Sequence, residues 1–179
     1  MKIRPATADD AAGASRMLQA LAAAGKRSRP SDPDFVLETY ICAPDRVECL
    51  VAVDEDGTIL GLQSLARARP GNPYGVAEGW GIIGTHVSPR AARKGCGKAL
   101  FAVTREAALA AGLVAIDASI GADNADGLAY YAAMGFETYR TPEGKICKRL
   151  ALGPREAGRR NAGCVGTGVN SGAAARRPE

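Results

Sequence analysis

Long hydrophobic runs are missing from this chain. No stretch of about 18 apolar residues occurs, so no membrane span is expected. The opening segment MKIRPATADD has no apolar core of a secretory signal, which makes the cytosol the expected compartment. Paired cysteine motifs are missing too. Five cysteines occur, at 42, 49, 96, 147 and 164, an odd number without a C-x-x-C pair. Neither a disulfide framework nor a zinc site is expected, only free thiols, buried or half-buried. Strong charge is also lacking. The formal net charge is +4, and the stretch from Gly153 onward holds five arginines and two glutamates, which leaves residues 1–152 close to neutral. A broad nucleic-acid-binding face is therefore not expected.

The 179 residues are 46% hydrophobic, enough for one domain with a core. The elements read as β-α-α-β-β-β-α-β-α-β-β, a mixed α/β domain over residues 1–152. A capping-box spacing at Thr7 and Asp10 opens a helix whose face is Ala14, Met17, Leu18 and Leu21. Asp54-Glu-Asp-Gly57 reads as a hairpin turn. A fourth strand, WGIIGTHVS, stops at Pro89. The helix after it presents Leu100, Val103, Ala107 and Ala111 to the core and stops at Gly112. A parallel pair is expected where this helix links strands four and five. Residues 153–179 have no aromatic and two valines, and read as a disordered tail.

The segment THVSPRAARKGCGKALF joins a strand end, a glycine-rich loop and a helix start. Unpaired N–H groups and the helix dipole make such a junction an anion site. Gly95 and Gly97 permit close approach, and Arg93, Lys94 and Lys98 add charge, so a phosphate or pyrophosphate is the expected ligand. It is not a Walker A loop, because Ala92 and Ala99 stand where Gly and Ser or Thr are required. It is not a G-x-G-x-x-G loop, because the third glycine is Leu100. A second cluster, NADGLAYYAAMGF, places Asn124 and Tyr131 seven residues apart, about 10.5 Å along one helix face.

Together Val87-Ser-Pro89, Gly95-Cys-Gly97-Lys98-Ala-Leu100 and Asn124…Tyr131…Gly135-Phe136 resemble the GNAT superfamily, the acyl-CoA-dependent N-acetyltransferases. The resemblance covers roughly residues 2–150 and looks closest to the phosphinothricin and amino-acid N-acetyltransferase type. It implies a central mixed sheet of six to seven strands, helices on both faces, and strands four and five parallel and splayed. It implies acetyl-CoA as acyl donor, its pantetheine arm in that split against Thr85, His86 and Val87. The pyrophosphate would sit on the amides of Arg93, Lys94, Gly95, Cys96, Gly97 and Lys98. Asn124 would contact the pantetheine region, and Tyr131 would lie near the sulfur as proton donor to the thiolate.

The implied reaction is direct attack, in a ternary complex, by the primary amine of a small molecule such as an amino acid or analogue. No membrane or nucleic-acid partner and no metal are implied, and a homodimer is left open. The sequence departs from the family pattern in three places. Ala92 lacks the polar side chain many members use on the phosphates. Gly127 replaces a common alanine, which suggests either room for the cofactor or a tolerated defect. Gly81 stands where some relatives carry a catalytic glutamate. His86, the one histidine, is a candidate base, but strand alternation places it opposite Thr85 and Val87. Lys26, Arg27 and Arg29 lie in a polar loop whose composition is that of a solvated loop, the alternative being that it faces a carboxylate-bearing amine. Tyr74 and Trp80 are candidate walls of an acceptor cleft or, alternatively, simply core residues. An acyl-CoA-binding module without turnover, or an enzyme acting on protein N-termini or lysines, remains the alternative.

Overall fold

The structure is a computed structural model, which describes residues 1–153. The expected tail lies outside the described residues, apart from Gly153 itself. Seven strands form one sheet: β1 (Lys2–Pro5), β2 (Arg46–Val53), β3 (Ile59–Arg67), β4 (Gly81–Val87), β5 (Ala115–Gly121), β6 (Glu137–Arg140) and β7 (Lys145–Ala151). Their order across the sheet is β1-β2-β3-β4-β5-β7-β6. Every neighbouring pair is antiparallel except β4 and β5.

Helix α1 (Ala11–Ala23) follows a 3-10 turn at Ala8–Asp10. The Thr7 N–H donates to Asp10 Oδ2 at 2.8 Å, and Arg4 holds both oxygens of Asp10 at 2.7 Å. Helix α2 (Pro33–Val36) begins at Asp32, whose side chain accepts from the Phe35 amide, and runs on as a π-helical turn, Leu37–Ile41. The expected α1 face, Ala14, Met17, Leu18 and Leu21, is buried with Val36, Ile41, Val51 and Leu62. On the opposite face, helix α3 (Cys96–Ala110) buries Cys96 and Leu100 against Leu50 and Ala52. Alternation along β2 thus feeds two cores, with helices on both faces of the sheet.

Two expectations need correction. The buried stripe of α3 is Cys96, Leu100, Phe101, Thr104 and Ala108, while Val103 is 43% exposed. The i, i+4 series from Cys96 lies on the sheet, so Val103 falls on the far side. Cys42 is exposed, whereas Cys49, Cys96 and Cys147 are buried.

Candidate active site

The site begins where β4 and β5 separate. The parallel pair is joined only at Gly81–Ile116 and Ile82–Asp117. Beyond Ile82 the strands diverge, while β4 stays paired to β3 through Val87 without a bulge. The Ser88 amide bonds Leu60 on β3, so alternation turns the amides of Ile83, Thr85 and Val87 toward the open split.

At the mouth of the split lies the glycine loop. A 3-10 turn, Pro89–Ala91, is capped by the Ser88 side chain, and α3 starts after Gly95, whose φ is +79°. Arg93 is also left-handed, at φ +61°. The Ala99 amide makes the first helical bond, to the Gly95 carbonyl. The amides of Arg93, Gly95, Cys96, Gly97 and Lys98 therefore have no acceptor among the described residues, as an anion cradle requires. No side chain caps this helix start.

Helix α4 (Ala125–Ala133) closes the split from the α3 side. Asn124 is its N-cap and accepts from the Gly127 amide at 2.9 Å. A Cβ on Gly127 would lie 2.7 Å from Asn124 Nδ2, so this glycine makes room for the cap itself. Tyr131 is 6% exposed and its hydroxyl lies 2.9 Å from Thr85 Oγ1. Burial, foremost, raises its pKa above the ordinary phenol value, and the Thr85 bond opposes that shift. Tyr130 is half-buried and donates to the Gly97 carbonyl at 2.9 Å.

Across the sheet, His86 faces the α1–α2 side, 5.7 Å from the Tyr40 ring. Arg27 Nη1 donates to His86 Nε2 at 3.4 Å, and because a guanidinium only donates, Nε2 must be the unprotonated nitrogen. Arg27 Nη2 also donates to the Tyr40 hydroxyl at 3.2 Å, and Arg29 Nη1 to the Tyr74 hydroxyl at 3.2 Å. Burial first, then the charges of Arg27 and Arg29, hold the His86 imidazole down at about 3.

All of this opens into one cleft of about 1220 Å³. Thr85, His86, Val87, Arg93, Gly95, Cys96, Gly97, Lys98, Asn124 and Tyr131 line it, and Lys94 does not. Tyr74 lines it, whereas Trp80 is absent from its walls and packs against Tyr139, tilted, with ring centroids 5.6 Å apart. The lining carries Lys26, Arg27, Arg29, Arg93 and Lys98 against Asp45 and Asp126, and both acids are already paired, with Arg69 and Lys26. Among the described residues no other carboxylate lines the cleft in place of the one missing at position 81. A Cβ there would lie 2.7 Å from Leu65 Cδ1 and 2.9 Å from Leu113 Cδ1, so packing has closed that space. Sequence reasoning missed Tyr40 and Gln63. Gln63 is a fully buried amide on β3, and no local spacing marks it.

A family model described as the acetyltransferase (GNAT) family matches residues 14–136. The chain belongs to this family. A GCN5-related N-acetyltransferase from Kribbella flavida superposes with a TM-score of 0.71 at 22% identity, covering 84% of this chain and 97% of that one. A GNAT superfamily phosphinothricin acetyltransferase from Sinorhizobium meliloti, solved with acetyl-CoA, gives 0.70 at 22%, covering 90% and 94%. A ribosomal-protein-alanine N-acetyltransferase from Brucella melitensis gives 0.60 at 19%, covering 85% and 100%. At these identities the likeness is one of fold. No curated protein sequence matches the chain. The GNAT fold accounts for the split between β4 and β5 and for the bare amides at its mouth.

Proposed function

We propose that this GNAT protein transfers an acetyl group from acetyl-CoA to the primary amine of a small anionic molecule, an amino acid or an analogue of one. The observation that carries the reading is the cleft itself, with unpaired loop amides at one end and Arg27 and Arg29 at the other. The diphosphate would sit on the amides from Arg93 to Lys98, with Arg93 and Lys98 supplying charge where Ala92 supplies none. The pantetheine arm would lie along the free edge of β4, with Asn124 beside it, and its thioester would come to rest near Tyr131.

In that frame the residues have distinct tasks. The free amides of β4 face the split, where they stabilise negative charge developing on the thioester oxygen. Tyr131 donates its proton to the departing sulfur. His86 serves as an anchor for Arg27 rather than as a base. With its Nε2 lone pair occupied and two cations nearby, it is too weak a base to deprotonate an ammonium. The same cations favour the neutral form of an incoming amine, which eases attack without a dedicated base. An acceptor carboxylate finds Arg27 and Arg29 unmatched by acids among the described residues, whereas a polyamine meets like charge.

The test is a thiol-release assay with acetyl-CoA over amino acids, polyamines and peptides, run beside calorimetry of acetyl-CoA. Turnover is expected with carboxylate- or phosphinate-bearing primary amines and not with polyamines. Acetyl-CoA binding without thiol release on any amine would leave only an acyl-CoA-binding module. Activity confined to peptide N-termini or lysines would move the acceptor class to proteins. Tyr131→Phe should lower kcat by about 100-fold with little change in acetyl-CoA affinity.

A further inference from the structure

A chain of hydrogen bonds runs from the start of α3 to Tyr131. The Gly97 carbonyl accepts from the Tyr130 hydroxyl at 2.9 Å. The Tyr130 oxygen accepts from Gln63 Nε2 at 3.2 Å, and the same Nε2 donates to Thr85 Oγ1 at 2.8 Å. Thr85 Oγ1 lies 2.9 Å from the Tyr131 hydroxyl. Gln63, at the centre, has no exposed surface, and its Oε1 has no partner among the described residues.

The order of the protons can be read outward from the one group that only accepts. A carbonyl takes the single proton of Tyr130, so the Tyr130 oxygen must itself be an acceptor. The Gln63 atom facing it is therefore the NH2 group, and the orientation of the amide follows from the network. The second hydrogen of that NH2 goes to Thr85. Thr85 then has its own proton to give, and the Tyr131 oxygen is the acceptor in reach. With Thr85 donating, the Tyr131 proton is directed away from the sheet and into the cleft. The reverse arrangement would turn the Thr85 proton back to the Tyr130 oxygen, which already accepts from Gln63 Nε2 at 3.2 Å.

We propose that Gln63 and Thr85 are positioning residues for the transfer, holding the Tyr131 oxygen as an acceptor so that its proton points at the departing sulfur. The proposal rests on the reading of Tyr131 as the proton donor. In the step served, the amine nitrogen bonds to the carbonyl carbon and the C–S bond breaks with its electron pair on sulfur. The Tyr131 proton passes to that sulfur, and the phenolate regains a proton from solvent, to which the amine has released one. Donation from Thr85 stabilises the transient phenolate and makes a buried phenol a better acid. The chain also ties the Tyr131 hydroxyl to Gly97, within the loop proposed to seat the diphosphate.

The experiment is a mutant cycle on the full chain, with acetyl-CoA and the amine of highest turnover, each variant checked by thermal melting. Thr85→Val and Gln63→Met preserve shape and remove the bonds. Each is expected to lower kcat by about 10-fold or more while the KM for acetyl-CoA stays within about twofold, and Thr85→Ser should restore kcat. In a Tyr131→Phe background neither substitution should cost anything further, because both act through the hydroxyl already removed. Losses that multiply in that background, or single variants with unchanged kcat, would overturn the proposal. Gln63→Met, on the neighbouring strand, carries the test alone if Thr85→Val does not fold. Unchanged turnover in Tyr131→Phe itself would instead remove the proton-donor reading, an outcome distinct from failure of the cycle.

Discussion

Arg27 places its guanidinium 3.4 Å from Nε2 of His86, across the floor of the cleft. The contact joins a loop residue to a strand residue, and it adds to the burial that already depresses the imidazole. The imidazole stays neutral beside a permanent cation, and the cation is held at the cleft wall by Tyr40, Pro30 and the imidazole.

Arg27→Gln should therefore do two things. The pKa of His86 should rise from about 3 toward its ordinary 6.5, though burial, the largest cause of the depression, remains. Because His86 is the one histidine of the chain, an imidazole NMR titration reads this without assignment. The KM for an anionic amine should rise by about 10-fold or more, on the scale of one charge-assisted bond, while a neutral amine is affected little. An unmoved histidine titration would remove Arg27 from the electrostatics of the site.

Stability should fall on acidification in a defined window. The folded imidazole titrates below its ordinary 6.5, so the unfolded chain takes up the proton first. The stabilisation is complete above about pH 6.5 and is lost as pH falls toward about 3, with a slope of up to about 1.4 kcal/mol per pH unit from this group. Urea unfolding of wild type and His86→Gln at several pH values isolates the contribution, and the variant should show the shallower dependence.

Introducing a carboxylate where some relatives carry one should fail. Gly81→Ala already brings a Cβ against Leu65 and Leu113, and should cost about 1–3 kcal/mol of stability by overpacking. Gly81→Glu should cost more and gain no activity, since β4 and β5 are still paired at that position. Denaturant melts together with the thiol-release assay check both.

Gly97→Ala should weaken acetyl-CoA binding by about 10-fold. Its Cβ would lie 2.8 Å from Cε2 of Tyr130, so the ring must shift and its bond to the Gly97 carbonyl is disturbed. Calorimetry reads the affinity, and an unchanged value would detach Tyr130 from the loop.

Arg93→Gly separates backbone strain from charge. Relieving a left-handed arginine should leave stability equal or slightly raised, by up to about 1 kcal/mol. Loss of the guanidinium should still weaken acetyl-CoA binding several-fold and reduce its salt dependence.

Local chemistry made much of the molecule legible. Thr7 and Asp10, the turn at Asp54–Gly57, Pro89 and Gly112 mark element ends because capping and turn geometry are properties of a few adjacent residues. The placement of His86 opposite Thr85 followed from a period of two, and the unbroken β3–β4 register bears it out. Val103 was misplaced because helical period allows several buried faces, and only the strands beneath α3 choose one. The loop of Arg27 reads as solvated by composition, yet Tyr40 and His86 draw it into the cleft. Trp80 reads either as a cleft wall or as core, and its tilted packing against Tyr139 decides for the second.

By itself the sequence determined the order of strands and helices, the bare-backbone loop at Gly95 and Gly97, and the spacing of Asn124 and Tyr131. These rest on periodicity, capping and backbone freedom, which act over a few residues. Only the tertiary structure decided that β4 and β5 part after Ile82, that Gln63 links Tyr130 to Thr85, and that Arg27 meets His86. Each of those contacts joins residues distant in the chain, and its geometry is set by how whole helices and strands pack, which no short window of residues encodes.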